Sequence, residues 1–168
     1  GAKLRPMDQL TLMALTSFVI TKTLPCPEIK SYEIEFINLA KAQHKQLGAL
    51  ETVKQQTEYF SKAFTDDMLV KQIANFEDYK SVFVEMIDAY KAEDLNKLDK
   101  ILKDKRFGST EDSNKWMLQI RNEKWAKQIP DMIKTKGCFF AVGAGHLPGK
   151  EGILNLLKAQ GYIVKPLS

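Results

Sequence analysis

The chain has 168 residues, of which 44% are hydrophobic and 27% are charged, and its formal net charge is +4. This length favours one domain with a real hydrophobic core, and the composition is typical of a globular protein. The basic excess is small and spread along the chain, so we expect no nucleic-acid partner. No apolar run approaches the roughly 18 residues that cross a bilayer, so the sequence predicts no transmembrane segment.

The first predicted helix covers residues 8–22. Asp8 is a suitable N-cap, and apolar residues recur behind it at helical spacing. The prolines within residues 24–27 end this helix, because the residue before a proline avoids the helical conformation. Cys26 in this stretch and Cys138 lie far apart in sequence, and the sequence leaves open whether they form a disulfide.

The first candidate strand follows the second predicted helix. That helix runs from about Tyr32 to His44, and the short apolar run Leu47–Leu50 then predicts a strand. The strand ends at Glu51, and a third helix follows at once. Taken alone, Glu51 is typical of an acidic residue that the dipole of the next helix stabilises.

The middle of the chain is strongly helical from residue 66 to residue 103, with charges between the apolar positions, as on a solvated helix face. We expect residues 66–107 to form a helical cap or insertion within one domain that spans residues 1–168. A long helix starts near Thr110, and Pro130 is expected to kink it or to start a new segment.

Residues 138–149 are the most informative part of the sequence. The apolar run 138–142 predicts a buried strand, and it gives way to glycines and His146. Pro148 suits the first turn of a helix, so His146 is expected at a strand-to-helix junction. Ligands bind at such junctions in open α/β sheets. The alternative is that the glycines make a tight turn and that His146 caps the next helix.

These elements predict an α/β or α+β fold, with a small, partly parallel sheet covered by several helices. The third candidate strand is Tyr162–Val164, after a helix that Gly161 ends. Three strands are few for a sheet, which suggests that part of the sheet is missing. Since an unpaired strand edge tends to find a partner, a homodimer that completes the sheet is one expectation.

Four polar residues form the candidate site. Glu51 and His146 each follow a candidate strand, so parallel strands would bring them to one rim of the sheet, where they could share a divalent metal or act as an acid–base pair. Arg121 and Asn122 lie on the long helix beside Trp125. An arginine suits a carboxylate or a developing oxyanion. A purely structural pairing of Arg121 with Glu51 carries equal weight.

These residues resemble a known family. The string RNEKW at 121–125, followed by FFAVGAGHL at 139–147, looks like the carboxyl-terminal signature of the TraB/GumN family, which includes the Tiki metal-dependent proteases. Upstream, the LET string at 50–52 with Gln56 looks like another family motif. The resemblance covers nearly the whole chain, and it is loose in the middle helices. The family's first G-x-x-H motif is absent, so the chain looks like the carboxyl-terminal two-thirds of a family member.

The resemblance implies a metal-dependent hydrolase of peptides or proteins, from an exported parent protein. Glu51 and His146 would be catalytic residues and ligands of manganese, cobalt or zinc, and Arg121 would stabilise an oxyanion or orient Glu51. A water-activating metal usually has three protein ligands, so we expect this chain alone to bind metal weakly and to be inactive. The residues expected to bind substrate are Asn122, Gly143 and Gly145.

A second hypothesis is a non-catalytic binding protein. The start of the helix after His146 would hold a small anionic ligand, because its N–H groups attract negative charge. The helical middle would supply a lid or a partner surface. Glu51 separates the two hypotheses, because a carboxylate is unfavourable at an anion site and expected at a metal site.

Overall fold

The computed structural model describes residues 12–22 and 28–167. The predicted cap at Asp8 and the proline stretch with Cys26 lie outside these residues. Within them the chain forms nine α-helices, a π-helical turn at Lys115–Gln119 and short 3-10 turns, including one at Ala144–His146, here called the histidine turn. The α-helices are α1 (Leu12–Lys22), α2 (Tyr32–Ala42), α3 (Val53–Ala63), α4 (Asp66–Ala74), α5 (Phe76–Lys91), α6 (Leu95–Leu102), α7 (Glu111–Asn114), α8 (Ile120–Ile133) and α9 (Ile153–Ala159).

The predicted α/β or α+β fold is wrong, because the described part of the chain is helical and contains no strand and no sheet. The three candidate strands, at 47–50, 138–142 and 162–164, are irregular segments. Within the described ranges the backbone of these segments pairs with no neighbouring strand. A strand exists only when its N–H and C=O groups pair with another strand, and an apolar run does not supply that partner.

The alternation that predicted the second strand still governs how its side chains pack. Phe140 and Val142 pack against the buried cluster around Trp125, whereas Phe139, which precedes them on the opposite face, is 76% exposed. Cys138 is exposed too, contrary to the buried position expected for it. The segment therefore has one buried and one exposed face without belonging to a sheet.

Two hydrophobic clusters form the core. The first joins α5 and α6 through Val82, Ala89, Leu98 and Ile101, and Ala144 of the histidine turn packs against it. The second cluster surrounds Trp125 and connects α8 with α9. The histidine turn thus lies between the middle helices and the carboxyl-terminal helices. The assignment of residues 1–168 to one domain, with 66–107 as its cap, stays a prediction.

α8 accommodates a proline in its last turns. Pro130 has no N–H to donate to the carbonyl of Ala126, and that carbonyl instead accepts a hydrogen bond from Nε2 of Gln160 at 3.1 Å. The bond ties α8 to the end of α9, so the helix continues through Pro130 and no new segment starts there. The helix end predicted at Gly161 is confirmed, since α9 stops just before it and Gly161 has a φ of +90°.

No helix in the described ranges is both long and apolar enough to cross a membrane.

Candidate functional site

Glu51 is held in place by both of its neighbours in sequence. Leu50 packs against the second cluster, and Thr52 is the N-cap of α3. Thr52 Oγ1 accepts a hydrogen bond from the backbone N–H of Gln55 at 3.2 Å, and Gln55 Oε1 accepts one from the backbone N–H of Thr52 at 3.0 Å. This reciprocal capping box orients the backbone at the start of α3. The carboxylate of Glu51 is therefore presented from a well-anchored turn.

Glu51 and Arg121 form a buried ion pair. Arg121 Nη2 lies 2.7 Å from Glu51 Oε1, and Arg121 Nε donates to Oε1 and Oε2 at 3.2 and 3.1 Å. The two side chains are only 4% (Glu51) and 11% (Arg121) exposed. Arg121 Nη1 also donates to the backbone carbonyl of Met117, in the π-helical turn, at 2.8 Å. Both oxygens of the carboxylate are thus bound by one guanidinium, the strongest geometry for such a pair.

His146 contacts the same face of α8. The histidine turn is closed by a bond from the backbone N–H of His146 to the carbonyl of Gly143 at 2.9 Å. His146 Nδ1 lies 2.6 Å from Oδ1 of Asn122, and Nδ2 of Asn122 donates to the backbone carbonyl of Glu151 at 2.8 Å. His146 is 7% exposed and Asn122 is 2% exposed. The imidazole is therefore fixed by a buried polar network.

Trp125 lies between the ion pair of Glu51 and Arg121 and the imidazole of His146, because its ring contacts both Arg121 and His146. Its ring lies 4.8 Å from the guanidinium carbon of Arg121, a cation–π distance, and its centroid lies 4.6 Å from that of the His146 ring. Its buried Nε1 has no hydrogen-bond partner in the described part of the chain. From the sequence, Trp125 is only a neighbour of Arg121 and Asn122 on the long helix. Its spacing of four residues from Arg121 was the available signal, since residues four apart share a helix face.

His146 is neutral at neutral pH. The pKa of its imidazole is lowered from 6.5 to about 4, first by burial and then by the positive charge of Arg121, while the charge of Glu51 acts in the opposite direction. A neutral imidazole has a free nitrogen lone pair. It can therefore coordinate a metal ion or accept a proton.

The glycines near His146 differ in what surrounds them. A Cβ on Gly143 would lie 3.8 Å from His146 Cδ2, an ordinary contact distance, whereas a Cβ on Gly145 would come within 2.7 Å of Leu102 Cδ1. Leu102 Cδ1 is the end of a flexible side chain of α6 and could move aside, so this contact does not by itself require a glycine at position 145. The expectation that both glycines bind substrate stays a prediction.

Gly152 supports the site, although its place in the sequence predicted no role for it. A Cβ at this position would overlap the backbone carbonyl of Pro148, so any side chain would open the loop from His146 to α9. That loop carries Glu151, whose carbonyl binds Asn122. The requirement arises from the tight turn of the backbone between Leu147 and Gly152, which the hydrogen bond from the Gly152 N–H to the Gly149 carbonyl closes.

The polar residues fit a metal ion only in part. His146 and Glu51 are the candidate ligands, and Glu51 is already bound by Arg121. Residues 12–22 and 28–167 contain no group of three or more His, Cys, Asp or Glu side chains that could hold a metal ion. The described arrangement therefore offers ligands without forming a complete metal centre.

Comparison with known proteins gives one match to a family model over nearly the whole chain and two matches to single proteins over short segments. The model of the TraB/PrgY/gumN family matches residues 2–166. Over 52 residues the chain is 36% identical to metalloprotease TIKI1 of Homo sapiens, and over 51 residues it is 37% identical to metalloprotease TIKI1 of Xenopus tropicalis. Each match covers 29% of this chain and 10% of the relative, so the chain matches about a tenth of their length. No solved structure matches the chain.

Proposed function

The chain belongs to the TraB/PrgY/gumN family, and from this membership we propose that it carries part of the active site of a metal-dependent hydrolase of peptide bonds. The family is the one expected from the motifs at 50–52 and 121–147. One observation supports the proposal above all: Arg121, which binds Glu51, and His146 are distant in sequence, and both lie against the ring of Trp125. The matched relatives are named metalloproteases, which favours a divalent metal and a protein or peptide substrate.

The proposed roles follow from the contacts. A divalent manganese, cobalt or zinc ion supplies polarisation of the scissile carbonyl and a lowered pKa of bound water. His146, neutral and held by Asn122, would be one ligand. Glu51 would be a second ligand or the general base, and Arg121 would orient it, since the guanidinium binds both of its oxygens. Glu51 can reach a ligand only by giving up part of this pairing.

The anion-binding hypothesis has less support. The helix expected directly after His146 begins only at Ile153, so its N–H groups are separated from the imidazole by a loop. Glu51 also places a negative charge in the same cluster, where it would oppose an anion. The separation of this helix from the imidazole is therefore the main argument against an anion, because Arg121 offsets the charge of Glu51.

Calorimetric titration of the chain with Mn²⁺, Co²⁺ and Zn²⁺ tests the proposal. We expect weak binding that His146→Ala abolishes and Glu51→Gln weakens, because these residues supply the two candidate ligands. His44→Ala is the matched control, since His44 is exposed and is the other histidine of the chain.

Binding that is unchanged in His146→Ala would refute the site. A parallel titration with inorganic phosphate separates the second hypothesis, under which Glu51→Gln would bind the anion more tightly than the wild type does.

A further inference from the structure

The orientation of the Asn122 side chain is determined by its partner on the loop before α9. A backbone carbonyl oxygen accepts hydrogen bonds and never donates them. The group of Asn122 that lies 2.8 Å from the carbonyl oxygen of Glu151 must therefore be the amide nitrogen. Because the amide carries one nitrogen and one oxygen, its oxygen is the atom that faces His146 Nδ1 at 2.6 Å.

This orientation leaves one arrangement for the imidazole proton. The oxygen of a neutral amide only accepts hydrogen bonds, so Nδ1 of His146 must be the donor. With the proton on Nε2 instead, two lone pairs would face each other at 2.6 Å. Water cannot relieve this conflict readily, because Asn122 and His146 are both buried. The tautomer that leaves these two buried groups unsatisfied is therefore disfavoured.

We propose that Asn122 is a positioning residue that holds His146 in the tautomer with the proton on Nδ1, so that the lone pair on Nε2 serves the active site. Asn122 then acts through His146 and does not touch the substrate, which departs from the expectation drawn from the sequence. An asparagine suits this position because it donates to one neighbour and accepts from the other. An aspartate would present an oxygen to the carbonyl of Glu151.

The edge of the ring that carries Nε2 borders a residue without a side chain. Cδ2 is bonded to Nε2, and a Cβ on Gly143 would lie 3.8 Å from Cδ2. Gly143 itself is exposed. The ring is therefore anchored at Nδ1 by α8 and is bordered by an exposed glycine on its Nε2 edge, the arrangement found where a histidine binds metal through one nitrogen and is oriented through the other.

Nitrogen-15 NMR of the His146 ring tests the tautomer directly. In a His44→Gln background His146 is the sole histidine, and long-range proton–nitrogen correlations identify which ring nitrogen carries the proton. At neutral pH we expect a protonated Nδ1 and an unprotonated Nε2. A spectrum with the proton on Nε2 would overturn the inference without any substitution at Asn122 or His146.

Two leucine variants then test whether Asn122 is the cause. Asn122→Leu removes the acceptor, and we expect a population of the Nε2-protonated form to appear. Asn155→Leu is the matched control, since Nδ2 of Asn155 also donates to a carbonyl of the same loop, that of Gly149 at 2.8 Å, and we expect it to leave the tautomer unchanged. An Asn122→Leu spectrum identical to that of the wild type would refute the positioning role.

If Asn122→Leu does not fold, the variant Asn122→Asp tests the same role. Asn122→Asp keeps an oxygen opposite Nδ1 and loses the donor to Glu151. At an alkaline pH, where the ring is neutral, we expect Nδ1 to keep its proton. Transfer of the proton to Nε2 in this variant would also contradict the inference.

The assignment of Nε2 to metal binding rests on the proposed function, but the tautomer does not. We expect Asn122→Leu to weaken Mn²⁺, Co²⁺ or Zn²⁺ binding by about 10- to 100-fold, as loss of a residue that orients a ligand does. A protonated Nδ1 without any metal binding would refute the proposed function and leave the tautomer established. Metal binding that requires His146, in a protein whose proton is on Nε2, would support the proposed function and refute the tautomer.

Discussion

The ion pair of Glu51 and Arg121 is the residue-scale feature on which the site depends. Burial of two charges costs free energy, and their mutual attraction repays it only when the geometry is good and the remaining hydrogen bonds are satisfied. Here the guanidinium binds both oxygens of Glu51 and also the carbonyl of Met117. Removal of one partner would leave the other buried without a counter-charge.

We therefore expect Glu51→Gln to lower the free energy of unfolding by about 3 kcal/mol. Glu51→Gln combined with Arg121→Gln should cost less than the sum of the two single variants, because the double variant buries no lone charge. Urea denaturation of the four proteins measures this coupling. Glu85→Gln is the control: its pair with Arg106, at 3.4 Å, is exposed, and its loss should cost less than about 1 kcal/mol. Strict additivity of the two buried substitutions would contradict the argument.

At the scale of elements, the start of α3 and one face of α8 build the site. The capping box of α3 fixes the backbone next to Glu51. α8 presents Arg121, Asn122 and Trp125 together, since residues three and four apart lie on the same helix face. The π-helical turn precedes this face and supplies the carbonyl that Arg121 binds. Such turns are rare and occur frequently at functional sites.

Loss of the α3 cap should affect both stability and the ion pair. We expect Thr52→Val to cost about 1 kcal/mol, because the first N–H groups of α3 lose their acceptor, and to weaken the coupling between Glu51 and Arg121 as the turn loosens. Thr65→Val is matched to it, since Thr65 caps α4 in the same way, by accepting from the N–H of Met68. Thr65→Val should lower the free energy of unfolding by a similar amount and leave the coupling between Glu51 and Arg121 intact. A double-mutant cycle of Glu51 and Arg121 in the Thr52→Val and Thr65→Val backgrounds measures this coupling. An equal loss of coupling in both backgrounds would argue against a role for the α3 cap.

At the scale of the whole molecule, the histidine turn connects the two clusters of the core. Ala144 packs on the cluster of α5 and α6, and His146 contacts Trp125 in the other. Protonation of His146 would place a charge in this junction, close to Arg121. The stability of the folded chain should thus depend on the state of one imidazole.

The pKa of His146 is lower in the folded chain than in the unfolded chain, so the unfolded chain binds the proton more tightly. The stabilising contribution is complete above pH 6.5, and it is lost as the pH falls toward about 4, where the folded imidazole itself titrates. From the linkage relation we expect a loss of roughly 3 kcal/mol over this interval.

Urea denaturation of the wild type and of His146→Gln between pH 6.5 and pH 4 measures this loss. The difference between their free energies of unfolding separates the contribution of His146 from that of the carboxylates. His44→Gln should show the full wild-type dependence. A wild-type protein that loses no more stability than His146→Gln would show that the imidazole is not held neutral by the fold.

The sequence alone was enough for the features that depend on neighbouring residues. Apolar spacing and turn residues gave the main helices and the end of α9 at Gly161, and the motifs at 50–52 and 121–147 identified the family. Glu51, Arg121 and His146 could be selected as candidates because their residue types suit the chemistry. Helices are predictable in this way because their hydrogen bonds join residues four apart.

Only the tertiary structure decided which of these residues meet and how. Glu51 and Arg121 are separated by 70 residues, and Asn122 and His146 by 24, and no spacing in the sequence specifies that the first pair forms an ion pair or that the second shares a hydrogen bond. The same limit explains the wrong prediction of a sheet. An apolar run predicts that one face of a segment will be buried. A strand also needs a second strand that pairs with its backbone, and only the folded chain determines whether such a strand lies beside it.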